Sequence, residues 1–111
     1  GELRWEFNPI PVDKRAVSGA ANVWSTISVD PVRRLVFLPT TSPSTDYYGG
    51  GRQFDIPLAN AIVALDGDTG AVKWSFQTVR HDLFDYDLVG HPLLVDIRRA
   101  GRTVPAALLQ T

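Results

Sequence analysis

The chain has 111 residues, a formal net charge of −1, and 44% hydrophobic against 21% charged residues, the proportions of one globular domain or part of one. Acids and bases are interspersed without a basic stripe, which argues against a nucleic-acid partner, and the absence of cysteine excludes disulfides, thiolate metal sites and cysteine nucleophiles. No run of about 18 apolar residues offers a membrane-spanning helix. The chain contains no methionine and opens on Gly1, so it is expected to be a piece of a longer protein.

In chain order the periodicity is that of strands. Asn22 to Val29 (NVWSTISV) is rich in β-branched and aromatic residues and is closed by the turn signal Asp30-Pro31. Leu35 to Leu38 (LVFL) reads as a short buried strand. Asn60 to Leu65 and Ala71 to Gln77 flank DGDTG, a hairpin in which Gly70 supplies a positive φ. Leu93 to Ile97 and Val104 to Gln110 form another expected pair. No segment keeps an i, i+3, i+4 apolar pattern long enough for a helix. Two long connections, Pro39 to Pro57 and Thr78 to Pro92, interrupt the strands, and loops of that length are more often functional than the rest.

An internal repeat organises the rest. Ala64 to Trp74 fits AxDxxTGxxxW, and Gly1 to Trp5 (GELRW) matches the end of that pattern. A strand, an Asp/Gly turn and a Trp-bearing strand that recur predict blades of a β-propeller. The copies lie further apart than usual blade periods of about 40 to 50 residues, and the loop from Pro39 to Pro57 accounts for the excess. The expected fold class is all-β: residues 1–111 as roughly one to two blades of a larger propeller, with unpaired edges at both ends. In the motif, Ala64, Asp66, Thr69 and Gly70 build the turn, its amides bound by Asp66 and Thr69, while Trp74 docks on a neighbouring blade.

Three further stretches carry polar chemistry. Trp24 is either a core tryptophan or a flat aromatic floor for a planar cofactor. Ser44 to Arg52 (STDYYGGGR) is either a flexible surface loop or a segment whose glycines let backbone approach a ligand while Arg52 pairs with a carboxylate. It contains no phosphate-cradling GxxxxGK[ST] or GxGxxG pattern. The densest stretch is HDLFDYDL, residues 81 to 88. Its acids fit a solvated loop, yet a carboxylate held between aromatic rings is a credible general base, since desolvation raises its pKa toward neutrality. The spacings HxxxH and HExxH of zinc hydrolases are absent.

Taken in order, NVWSTISVD, LPTTSPSTDYYGGGR, NAIVALDGDTGAVKWSFQTV, HDLFDYDL and HPLLVDI resemble pyrroloquinoline quinone (PQQ) dependent dehydrogenases, most closely the membrane-bound glucose dehydrogenase type. The resemblance implies an eight-bladed propeller with PQQ near its axis and a calcium ion beside the quinone. It places Trp24 beneath the PQQ ring and makes Asp85 the base that accepts the substrate hydroxyl proton as hydride moves to C5 of PQQ. Calcium would polarise that carbonyl as a hard Lewis acid. His81 would orient substrate or cofactor, and Asp82 and Asp87 would brace the loop. It further implies an aldose or alcohol substrate, ubiquinone as electron acceptor, and a location at the periplasmic face of the inner membrane, with any anchor and a cofactor-binding lysine outside residues 1–111.

The chain departs from the family at three places. Ser42 stands where alcohol dehydrogenases of the family carry a metal-ligating Asn, and a hydroxyl is a weaker calcium ligand. Arg80 replaces the first histidine of HHDLWDYDLP, and Phe84 replaces the tryptophan beside the base. Two other readings share the docking repeat: a non-catalytic propeller scaffold of the outer-membrane assembly lipoprotein type, and an inactive enzyme homologue.

Overall fold

The computed structural model describes residues 1–111. Six strands form: β1 (Ser28–Asp30), β2 (Leu35–Pro39), β3 (Ala61–Asp66), β4 (Val72–Gln77), β5 (Leu93–Arg99) and β6 (Arg102–Leu108). The first four make one antiparallel sheet in the order β1-β2-β3-β4, and β5 pairs with β6 in a separate hairpin. Helix is confined to the single 3-10 turns Val12–Lys14 and Gly49–Gly51. The chain is all-β, as the periodicity predicts.

The β-branched runs become strands because both faces of the sheet find apolar cover. Ala61 to Leu65 are all buried in β3, so the strand reads as a continuous apolar run rather than an alternation. On one face Ala61, Val63 and Leu65 join Leu38, with Trp5, Phe7 and Val23 laid over them. On the other, Ile62, Ala64 and Phe37 meet Leu94 and Ala107 of the β5–β6 hairpin. Burial of Val63 and Leu65, both at 0% exposure, contributes about 1.5–3 kcal/mol each.

The β3–β4 turn follows its residue chemistry. Asp66 Oδ1 accepts from the backbone N of Asp68 and Thr69, each at 3.0 Å, and from Thr69 Oγ1 at 3.1 Å. Gly70 sits at φ +71° and its N–H closes the turn on Asp66 O. Lys73 pairs with the other oxygen of Asp66 at 3.0 Å. With the backbone donors, that lysine holds the Asp66 carboxyl down at about 2.

The two tryptophans of the repeat differ in their surroundings. Trp5 lies across the turn: its Nε1 donates to Gly67 O at 3.1 Å, and a Cβ on Gly70 would come within 2.7 Å of its ring. Trp74 packs edge-on against Phe37 with ring centroids 5.8 Å apart and lines a cleft of about 430 Å³ between the sheet and the β5–β6 hairpin. Val72, Trp74 and Phe76 leave β4 with an exposed apolar row.

One expected strand is mostly absent. Of Asn22 to Val29 only Ser28 and Val29 enter a ladder, in β1. Ala20 and Ala21 just before it have positive φ, and the segment satisfies its polar groups with loops instead. Asn22 O accepts from Thr41 N and Thr41 Oγ1, Ser25 Oγ donates to Val89 O at 2.6 Å, and Ser28 Oγ donates to Pro92 O. Hydroxyls and an amide in a β-branched run let side chains compete with the ladder for backbone partners.

Candidate active site

Three loops meet at the start of β3, at the opposite end of that strand from the Asp66 turn. Asn60 immediately precedes β3 at φ +45°, a conformation Asn tolerates better than most residues. Its backbone ties two loops together: its N–H donates to Thr41 O at 3.0 Å, and its carbonyl accepts from Thr78 N and Thr78 Oγ1, each at 2.8 Å. Its buried side chain reaches a third segment, Nδ2 lying 2.8 Å from Asp82 Oδ2, 2.9 Å from Tyr86 O and 3.1 Å from Ser42 Oγ.

Asp82 is buried and collects donors from every side. Oδ2 accepts from Ser42 Oγ at 2.6 Å, Tyr86 N at 2.7 Å and Asn60 Nδ2, and Oδ1 accepts from Phe84 N at 2.9 Å. Burial pushes this carboxyl up, but the Ser42 hydroxyl, the Phe84 and Tyr86 amides and Asn60 together outweigh it and hold the group below the usual carboxylate range. Asp82 is therefore an acceptor inside the loop, and the acids of HDLFDYDL are not equivalent.

Asp87 joins the aromatic plate to the same frame. Its Oδ2 accepts from Trp24 Nε1 at 2.9 Å and its Oδ1 from Ser42 N at 2.8 Å. The indole is gripped at its edge while the residue is 59% exposed, which leaves an open aromatic surface.

Asp85 projects from between these braces with its side chain exposed and its backbone at φ +59°. Tyr47 Oη donates to Asp85 Oδ2 at 3.2 Å, and the charge of Asp85 raises the Tyr47 phenol. The expected enclosure of this carboxylate by its neighbouring rings is not formed. Phe84 and Tyr86 lean on one another, centroids 5.8 Å apart, and are themselves exposed. Any water-excluding cover over Asp85 must come from elsewhere.

His81 and Arg52 are placed differently from the other predicted residues. His81, at φ +49°, points Nδ1 toward Asp55 Oδ1 at 3.8 Å and lays Nε2 beside Gly49, without a hydrogen bond to Asp85. Arg52 is 1% exposed, and its Nη2 donates to the carbonyls of Asp82 and Thr45. The guanidinium thus braces the backbone of the acidic loop rather than pairing with a carboxylate at an open surface. The glycines of the 49–51 turn keep negative φ, and the close approach they permit is internal, Gly49 facing Leu83 and His81.

The structure thus brings Trp24, Ser42 and Arg52 into one hydrogen-bonded cluster through Asp87, Asp82 and Asn60, with Asp85 on the same loop bonded to Tyr47 alone and His81 on its flank. Of the docking residues, Asp66, Thr69 and Gly70 lie at the turn on the far end of β3, Ala64 within β3, and Trp74 on the outer strand β4. Sequence reasoning missed Asn60 and Tyr47, and also Asp46, whose Oδ1 is buried without a partner. Burial, then the charges of Asp85 and Asp87, raise the Asp46 carboxyl.

The family described as "Glucose/ethanol/alcohol dehydrogenase, beta-propeller domain", of the PQQ group, matches residues 1–111 in full. The chain belongs to this family. It is 39% identical to the quinate/shikimate dehydrogenase (quinone) of Acinetobacter baylyi over all of this chain and 15% of that protein. It is also 39% identical to the quinoprotein glucose dehydrogenase of Escherichia coli K12, over 95% of this chain and 14% of that one. Among solved structures, the quinohemoprotein alcohol dehydrogenase of Comamonas testosteroni superposes with a TM-score of 0.68 at 27% identity, covering 82% of this chain and 14% of that one. The chain therefore spans about one seventh of the length of these relatives. The scaffold alternative is not favoured by these likenesses.

For a PQQ-family propeller segment, the residues present fit the quinone better than the metal. The edge-anchored, open-faced Trp24 suits a planar tricyclic ring. A calcium cage is not composed by this chain: no three His, Cys, Asp or Glu side chains group to hold an ion. The Ser42 hydroxyl is already engaged as donor to Asp82 and acceptor from Asn60. No helix is long and apolar enough to cross a membrane.

Proposed function

We propose that the full-length protein is a PQQ-dependent dehydrogenase that oxidises a hydroxyl of an aldose or alcohol, with Asp85 as the general base. The observation that carries this reading is the bridge made by Asp87. It fixes Trp24 and Ser42 together two residues beyond Asp85, so the aromatic plate and the carboxylate are presented from one braced frame. When bound, PQQ supplies the two-electron acceptor for hydride from the substrate carbon. Trp24 supports the ring from below through its exposed face. Asp85 takes the proton of the substrate hydroxyl at its carboxylate, and Tyr47 orients Oδ2 of that carboxylate from the side. His81, on the flank of the cluster, is the residue available to a substrate hydroxyl rather than to Asp85.

The names of the relatives support the substrate class: glucose, quinate and glycerol dehydrogenases are among them. An eight-bladed ring, ubiquinone as acceptor and a site on the periplasmic face of the inner membrane complete the proposal. Calcium would draw most of its ligands from outside residues 1–111, with Asp85 and Asp46 as the carboxylates of this chain that have oxygens to offer.

The test is reconstitution of full-length protein with PQQ and Ca²⁺, assayed with glucose, quinate, glycerol and ethanol and a dye acceptor. Turnover of at least one of these, dependent on added PQQ, is expected. Failure to bind PQQ at all would restore the scaffold reading, and PQQ binding without turnover of any of the four would favour an inactive homologue.

A further inference from the structure

Asp82 lies three residues before Asp85, inside the protein where no substrate reaches it, and its carboxylate is saturated. Two of its four donors are the backbone amides of Phe84 and Tyr86, the residues on either side of Asp85. The other two, Ser42 Oγ and Asn60 Nδ2, come from the loop after β2 and from the residue before β3. Arg52 Nη2 holds the Asp82 carbonyl from behind. Asp85 itself occupies the left-handed region at φ +59°, uncommon for a non-glycine residue though Asp adopts it more readily than most.

We propose that Asp82 is a positioning residue: by holding the amides of Phe84 and Tyr86 against the sheet it fixes the left-handed backbone of Asp85 and the aim of that carboxylate. The proposal rests on the reading of Asp85 as the base and adds the device that directs it. Misplacement of a reacting group by about 1 Å costs on the order of a hundredfold in rate, so loosening the clamp acts on turnover before it acts on binding. Asn at position 82 keeps the volume but has one oxygen in place of two. Whichever way the amide turns, an NH₂ group faces a donor, at Phe84 N or at the trio on Oδ2.

The experiment is a double-variant cycle in full-length protein loaded with PQQ and Ca²⁺, using whichever of glucose, quinate, glycerol and ethanol the wild type turns over fastest. Asp82→Asn is expected to lower kcat at least tenfold, with KM and PQQ stoichiometry within twofold of wild type. In an Asp85→Asn background the same substitution is expected to change the residual rate less than twofold, because the two residues act as one unit. A wild-type kcat in Asp82→Asn, or an equal fold loss in both backgrounds, overturns the proposal. An Asp85→Asn variant at the wild-type rate removes the base reading itself, and the two failures are told apart by which single variant keeps its rate. Should Asp82→Asn not fold or not load PQQ, Asn60→Gly loosens the same clamp. It tolerates the positive φ and leaves Asp82 with the Ser42 hydroxyl and its two amides, and a threefold or greater fall in kcat at unchanged KM is expected. Loss of PQQ loading in both variants would assign the cluster to the fold alone and overturn the proposal.

Discussion

Trp24 Nε1 donates to Asp87 Oδ2 at 2.9 Å, across 63 residues of sequence. The bond turns an exposed indole into a fixed plate, because the second oxygen of the same carboxylate is held by Ser42 N. Asp87→Ala should therefore weaken PQQ binding without removing the ring. Loss of one charge-assisted bond at an exposed site is worth about 1 kcal/mol, or roughly fivefold in Kd, measured by PQQ titration of the apo full-length protein. Trp24→Ala, which removes the plate itself, should cost more than Asp87→Ala in the same titration.

Gly70 is the position at which the turn tolerates no side chain. Its φ is +71°, and the Trp5 ring lies 2.7 Å from the point a Cβ would occupy. Gly70→Ala should therefore destabilise by about 2 kcal/mol, the cost of a left-handed residue plus displacement of the indole. Hydrogen exchange at Asp68 to Ala71 in full-length protein should accelerate. Trp5→Phe, which keeps the ring contact but loses the bond to Gly67 O, should produce a smaller acceleration at the same amides.

The Asp66 turn carries a pH dependence of defined sign. Its carboxyl is held at about 2, below the ordinary 3.8, by Lys73 and the turn donors. A group depressed on folding contributes stability above its unfolded pKa and loses it as pH falls through the folded value. The Tm difference between wild type and Asp66→Asn should thus be largest above pH 4 and shrink between pH 4 and 2, followed by thermal melts across that range.

Phe84 stands where the family pattern it resembles carries tryptophan, and it is 70% exposed with its ring beside that of Tyr86. Phe84→Trp should be accommodated with a stability change within about 0.5 kcal/mol and with kcat within about threefold of wild type. A loss of tenfold or more would show that the site discriminates between the two rings through contacts outside residues 1–111.

The strands were legible because their apolar runs are local. Leu35 to Leu38 announces a buried strand and Asn60 to Leu65 a hairpin strand by composition alone, and DGDTG announces its turn by one aspartate and one glycine. The candidate site was legible only in its parts. Asp82, Ser42 and Asn60 converge from separations of 18 to 40 residues, and nothing in the local pattern of a buried Asn at φ +45° distinguishes it from an ordinary strand end. Arg52 illustrates the same limit from the other side. An arginine after three glycines reads as a ligand-facing cation, and its inward course is decided by the carbonyls of Asp82 and Thr45, which only the folded loop assembles. The strand expected over Asn22 to Val29 failed for a related reason: Ser25, Ser28 and Asn22 found partners in distant loops.

Asp85 as the general base is tested most directly by the turnover of Asp85→Asn in full-length protein at wild-type PQQ occupancy. Asn preserves the size of the side chain and cannot take the substrate proton. The expected result is a fall in kcat of at least a hundredfold, within the usual range for removal of a general base, with PQQ still bound in equal stoichiometry. A variant that turns over at the wild-type rate would contradict the role given to Asp85.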